Sequence, residues 1–191
     1  MGGIFIKNVR TITLTAVLTA LTVVGDSLTK IVIVPGILDI RFGFIFFSVI
    51  AYLFGPIVAF AAGLIQNTVS FFISGSGVFD IRYGLNAGLT GIIYAIFLYR
   101  KNYKSEYFII WITAAKASVN LICHIIINGY LLKEYYIAKG ANFEIWTSLR
   151  IFKNVGMLPV EILIMLFVLK AVSKPAINFK FIKPRKNTKK L

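Results

Sequence analysis

YFIIWITAAKASVNLICHIIINGYLL, residues 107–132, decides what kind of protein this is. The run is long enough to cross the hydrocarbon core of a bilayer, which takes about 20 apolar residues in a helix. Its polar side chains are not scattered: Lys116, Asn120, His124 and Asn128 recur at every fourth position. At about 100° per residue such a stripe drifts only about 40° per step, so all four fit within roughly one third of the helix circumference. Polar groups are costly in lipid, so this face turns inward, either bonding neighbouring helices together or lining a ligand site.

The rest of the chain matches that reading. Of its 191 residues 58% are hydrophobic and only 15% charged, with a mean hydropathy of +0.83, too few polar groups to cover a soluble domain. Six apolar segments emerge, over about residues 11–29, 41–54, 57–73, 83–99, 107–132 and 151–172. Gly55 and Pro56 make a tight turn, and the SGSG of residues 74–77 is a flexible linker. The second and third segments are short for full spans and are expected as tilted or partly buried helices; four helices with one broken hairpin is the alternative. The first segment follows Lys7 and Arg10 without a small-residue cleavage site and reads as a permanent span. The expected architecture is therefore an all-α integral membrane protein with six transmembrane helices over residues 1–173 and a basic tail over 174–191.

A formal net charge of +14 would suit nucleic acid, but its distribution argues for topology. Lys174, Lys180, Lys183, Arg185, Lys186, Lys189 and Lys190 crowd the C-terminal end, and Arg100, Lys101 and Lys104 share one connecting loop. With six spans these groups and the N-terminus lie on one face, which lysine and arginine bias makes cytoplasmic, beside anionic lipid headgroups. The tail lacks the aromatic interleaving of a nucleic-acid site. Loops 30–39, 74–82 and 133–150 then face outward.

No catalytic constellation stands out. H-E-x-x-H, G-x-S-x-G and the phosphate-cradling G-x-x-x-x-G-K-S/T are all missing, so the chain reads as no enzyme and any ATP-driven step needs a partner. The single cysteine, Cys123, forms no intrachain disulfide and is expected to pack; the single histidine has no second metal ligand nearby in the sequence. No metal or cofactor is expected.

Other residues carry more information. Ala16 and Ala20, four apart in the first span, and Gly84 and Gly88 in the fourth leave faces that a helix backbone can approach closely, within the bundle or from a neighbouring subunit. Lys116 and Glu161 fall at similar depth and are expected to form an ion pair, since a lone charge there is costly. Arg41 opens the second helix, Arg82 precedes the fourth, and Arg150, Lys153 and Asn154 open the sixth. Such a set either snorkels at the interface or gathers to recognise a carboxylate, helped by helix N-termini. Phe79, Tyr83, Tyr130 and Trp146 are walls for an aromatic ligand or members of the interfacial belt.

Three stretches carry a family resemblance: the AxxxA of Ala16 and Ala20, the segment from RFGF (41–44) to LFGP (53–56), and RIFKNVGMLPVE (150–161), which is similar to an R-x-x-K-N-x-x-M-x-P-x-Q/E pattern. With the Asn120 and Asn128 spacing, the chain resembles the S components of energy-coupling factor (ECF) vitamin transporters, within these the folate group. The resemblance implies a multi-pass protein of the prokaryotic cell membrane that captures a vitamin from outside. It would dock through Ala16 and Ala20 on a transmembrane coupling subunit driven by two cytoplasmic ATPases. It also implies a vitamin site in the outer half. There Arg41, Arg82 and Arg150 are candidates for carboxylates, and Asn86, Asn120, His124, Asn128 and Asn154 for the polar edge of a ring. The chain departs from the family pattern at FDIRYGLN (79–86), at Asn128 to Tyr130, and at Gln66 and Asn67. An S component for a different vitamin, or a stand-alone carrier or channel, are the alternatives.

Overall fold

The computed structural model describes residues 9–28, 31–34, 38–74, 79–131, 133 and 143–178. Among them lie six helices: α1 (Val9–Leu28), α2 (Phe44–Phe54), α3 (Pro56–Ser74), α4 (Ile81–Leu98), α5 (Phe108–Leu131) and α6 (Phe143–Asn178). Between α1 and α2 the expected loop contains a short antiparallel hairpin, β1 (Ile31–Val34) and β2 (Leu38–Ile40), with Ile31 opposite Ile40 and Val32 opposite Asp39. The fold is otherwise helical.

Five of the helices are long and apolar enough to cross a membrane; α2 is the exception. Its sequence FIFFSVIAYLF is apolar on every side, the mark of a helix enclosed by others, and Phe47 to Leu53 are all buried. At 1.5 Å per residue it covers about half the hydrocarbon thickness. The third segment, expected to be short, is instead a full-length span that faces largely outward. Large side chains such as Ile57, Phe72, Ile96, Ile110 and Phe167 are exposed on the bundle surface, as befits a protein whose solvent there is lipid.

Gly55 explains how α2 hands over to α3. Its φ of +86° suits glycine, and an added Cβ would sit 3.1 Å from the Tyr99 ring. Pro56 follows as the first residue of α3, where its missing N–H has no helical partner to lose. α3 and α4 then approach closely: a Cβ on Gly63 would lie 2.5 Å from the Ala87 carbonyl oxygen, and one on Gly91 2.6 Å from that of Ala59. Gly88 meets the Phe60 ring, whereas Gly84 would accept a Cβ at ordinary contact distance. The tight part of the GxxxG face is thus its Gly88 end, and it serves internal packing.

α6 differs from expectation at both ends. It begins at Phe143, so much of the segment expected as an outward loop continues the helix, and it runs through Lys174 to Asn178, past the helix end expected at about 172. Pro159 and Pro175 lie inside it and each removes one ladder hydrogen bond. α5 is irregular in another way. It is α-helical over Phe108–Val119, π-helical over Asn120–Ile127 and α-helical again over 128–131.

The core joins α2, α4, α5 and α6 through Ile50, Tyr52, Tyr94, Leu98, Ile112, Val119, Met165 and Leu169. At the end opposite the hairpin, the Ser173 hydroxyl donates to the Tyr52 hydroxyl at 2.9 Å, and Tyr52 donates to the Lys101 carbonyl at 3.3 Å. That chain ties α6 to α2 and to the loop between α4 and α5.

Candidate functional site

Because α2 is short, its N-terminus lies inside the bundle rather than at its rim. Phe44, the first residue of α2, places its ring 4.2 Å from Lys116 Nζ in the middle of α5. The same ammonium lies 3.2 Å from Glu161 Oε1 on α6. Asn120, one turn further along α5, donates its amide to the Asn154 carbonyl at 3.2 Å and to Glu161 Oε2 at 3.4 Å. These groups make a polar floor beneath the hairpin, across α2, α5 and α6.

The π-helical stretch shapes one wall. Four residues overshoot a turn in an α-helix, but fall short of one when the ladder closes from i to i+5. The drift expected along Lys116, Asn120, His124 and Asn128 is therefore countered at its midpoint, and the stripe stays aligned. From α4, the side-chain amide of Asn86 donates to the Cys123 carbonyl at 3.1 Å, inside the widened turn. The Thr90 hydroxyl donates to the Asn86 carbonyl at 3.0 Å. With Tyr94, these form a second stripe at four-residue spacing that the reading of the chain did not single out. Cys123 itself is fully buried and in no disulfide; its thiol packs against the Thr90 hydroxyl while its carbonyl accepts the Asn86 amide.

Charge gathers around His124, which is half-buried. Lys116, Lys153 and Arg150 all lie within electrostatic range of its imidazole, and Lys153 and Asp26 within range of Lys116. Asp26, near the end of α1, was also missed. Its Oδ1 accepts from the Gly43 N–H and its Oδ2 from Gln66 Nε2, both at 3.0 Å, so it clamps the approach to α2 against α3. Around His124 and Lys116 the described residues thus set three cations, Lys116, Lys153 and Arg150, against two carboxylates, Asp26 and Glu161, a balance suited to an anion.

The arginines fall into different settings. Arg150 is half-buried, but it does not open α6: the helix starts at Phe143, so Arg150, Lys153 and Asn154 lie well inside it and gain nothing from a helix N-terminus. Arg82 is in the first turn of α4 rather than before it, 50% exposed, and its guanidinium pairs with Asp80 at 2.8 Å. Asp80 caps the helix by accepting the Arg82 N–H at 2.8 Å. That N–H above all, with the guanidinium adding to it, holds its carboxyl below the ordinary 3.8 against an opposing effect of desolvation. Arg41 is exposed between β2 and α2. The structure therefore brings Asn86, Asn120, His124, Asn128, Asn154 and Arg150 to one region and leaves Arg82 in a local pair. Phe79 packs against Phe71 with ring centroids 5.3 Å apart, and Tyr130 is exposed. The side chain of Trp146 lies outside the described residues, as do Lys7 and the tail from residue 179. Ala16 and Ala20 are exposed on α1 beside Val17 and Leu21. Among the described residues no three His, Cys, Asp or Glu side chains come together as a metal site would require.

Comparison with known proteins gives matches of three kinds. The family model of the ECF-type riboflavin transporter S component matches residues 6–174. The folate transporter FolT of Leuconostoc mesenteroides subsp. mesenteroides is 27% identical over 165 residues, which is 85% of either chain. The crystal structure of FolT bound with folic acid superposes with a TM-score of 0.71 at 28% identity, covering 84% of this chain and 91% of the other.

Proposed function

The chain belongs to the family of ECF-type riboflavin transporter S components, and from that premise we propose that it captures folate or a folate-like vitamin for an energy-coupling factor importer. The family is one of multi-pass transport proteins of the prokaryotic cell membrane, not of enzymes. The observation that carries the folate reading is the likeness, over most of both chains, to a FolT that holds folic acid. The site supports it: folate joins a flat, hydrogen-bonding pterin to an anionic glutamate, and this half of the bundle offers asparagine amides beside an excess of cations.

In this reading the hairpin end faces outward, since the basic loop of Arg100, Lys101 and Lys104 lies at the opposite end. The vitamin enters beneath the hairpin, with its ring among Asn86, Asn120, His124, Asn128 and Asn154 and its carboxylates toward Arg150 and Arg41. Delivery inward depends on a transmembrane coupling subunit and two ATPases. The exposed Ala16 and Ala20 face of α1 is the docking strip for that subunit, because small side chains let a second helix come close.

Calorimetry on the purified chain in detergent, with folate, riboflavin and thiamine, tests the capture step. Selective folate binding without ATP supports it; a folded chain that ignores folate overturns it. Co-purification with the coupling module tests the second step, which Ala16→Trp and Ala20→Trp should abolish while folate binding persists. A stand-alone carrier would be indifferent to both substitutions. Riboflavin is the second reading, favoured by the description of the matching family model; tight riboflavin binding would select it.

A further inference from the structure

Asn86 and Asn128 meet at one main-chain carbonyl. In the π-helical stretch the Asn128 N–H donates to the Cys123 carbonyl, and the Asn86 side-chain amide reaches the same oxygen from α4. This bond fixes which way the Asn86 amide faces, with its nitrogen on Cys123 and its Oδ1 turned away. That Oδ1 is fully shielded and accepts no hydrogen bond from the described residues, and the same holds for Oδ1 of Asn128. Asn86 as a whole is only 9% exposed. Buried carbonyl oxygens are nearly always satisfied, and a membrane interior has no bulk water to do it. Two orphan acceptors beside one widened turn require a donor from elsewhere.

Resting on the folate reading, we propose that Asn86 and Asn128 form a paired acceptor subsite that takes two adjacent N–H donors of a planar heterocycle, the 2-amino group and ring N3–H of a pterin. The pairing discriminates. An isoalloxazine presents at the corresponding edge one N–H between two carbonyl oxygens, so it sets an oxygen against an asparagine oxygen and leaves one acceptor without a donor. Sites built to bond an N–H reject analogues that lack it far more strongly than apolar pockets reject a change of shape. The π-helical stretch holds the acceptors in place, because an α-helical ladder there would move Asn128 off the line of Asn86.

The test compares folate with 2-desaminofolate, which lacks one donor, by calorimetry on the intact chain in detergent. The wild type is expected to bind the analogue at least about tenfold more weakly than folate. Asn86→Leu should weaken folate to near the level of the analogue and leave the analogue little changed, so the ratio collapses toward one. General damage to the fold weakens both ligands together and preserves the ratio, as measured on protein that elutes as one species. Should Asn86→Leu fail to fold, Asn86→Ala is read in the same way; Asn128→Leu, whose acceptor then faces the N3–H that both ligands carry, should weaken both alike. Equal binding of both ligands by the wild type, or a ratio that survives the substitution, overturns the subsite and leaves the folate reading standing. A folded wild type that binds riboflavin and not folate overturns both.

Discussion

Lys116 Nζ lies 3.2 Å from Glu161 Oε1 in the middle of the bundle, with the lysine 2% and the glutamate 14% exposed. Phe44 covers the other side of the ammonium, and Asn120 shares the second carboxylate oxygen. The pair thus joins α5 to α6 at the depth where α2 begins. Removing one member leaves the other charged and buried, which should cost about 3–5 kcal/mol. Lys116→Met and Glu161→Met should each lower the unfolding midpoint in mixed micelles sharply. The double substitution should recover most of the loss, and double-mutant behaviour that is simply additive would show that the two do not interact.

Helix approach offers a sharper contrast, because three glycines differ in what an added methyl would meet. At Gly63 and Gly91 it would press on a backbone carbonyl of the facing helix, whereas nothing lies within 4 Å of the position at Gly156. Gly63→Ala and Gly91→Ala should each destabilise by about 1–3 kcal/mol. Gly156→Ala should be neutral or stabilising, by up to about 1 kcal/mol, since alanine is the better helix former. Unfolding curves on the three variants check the order.

The Asp80 cap gives a pH dependence with a definite sign. Its carboxyl is held below the ordinary 3.8, so its contribution is fully present above that value and is lost as pH falls through the lowered one. Helix α4 should fray at its N-terminus only under acid conditions, below about pH 4. Asp80→Asn should remove this acid limb. Amide exchange at Arg82 and Tyr83, followed against pH, reads it directly; an unchanged profile in the variant would assign the limb to another group.

Anion recognition should be unequal among the arginines. Arg82 pairs with Asp80 at the exposed start of α4, while Arg150 is half-buried within electrostatic range of His124. Arg150→Ala should weaken folate about tenfold or more, as loss of a charge-assisted hydrogen bond does. Arg82→Ala should change affinity by less than about threefold, given how little an exposed pair contributes. If single alanines at Arg41, Arg82 and Arg150 all leave binding intact, carboxylate capture by this set is wrong.

The helices were legible in the chain because the bilayer imposes a length and a composition that residues 107–132 or 81–98 meet without help from tertiary contacts. The stripe of Lys116, Asn120, His124 and Asn128 was legible for the same reason, since inward polar groups stand out against an apolar ground. What escaped depends on contacts between distant segments. Asp26 looks like an ordinary loop-edge acid until Gly43 and Gln66 are brought to it, and Asn86, Thr90 and Tyr94 repeat at a spacing that was applied to α5 and not to α4. The start of α6 was misjudged because the segment before Arg150 is polar enough to pass for a loop. The π-helical stretch leaves no local mark, because its sequence is as apolar as any α-helical one.

That stretch makes α5 a screw with one slackened thread. An α-helix of the same length would turn its far end away from the partners met at its near end; here the pitch relaxes between Asn120 and Asn128, and both ends engage the same side of the bundle. The helix therefore tolerates substitutions of the lipid-facing Leu121 or Ile126 far better than a change in count. Adding a single residue between those two asparagines would leave a hydrophobic span of ample length, and the polar groups beyond it would point at the wrong neighbours.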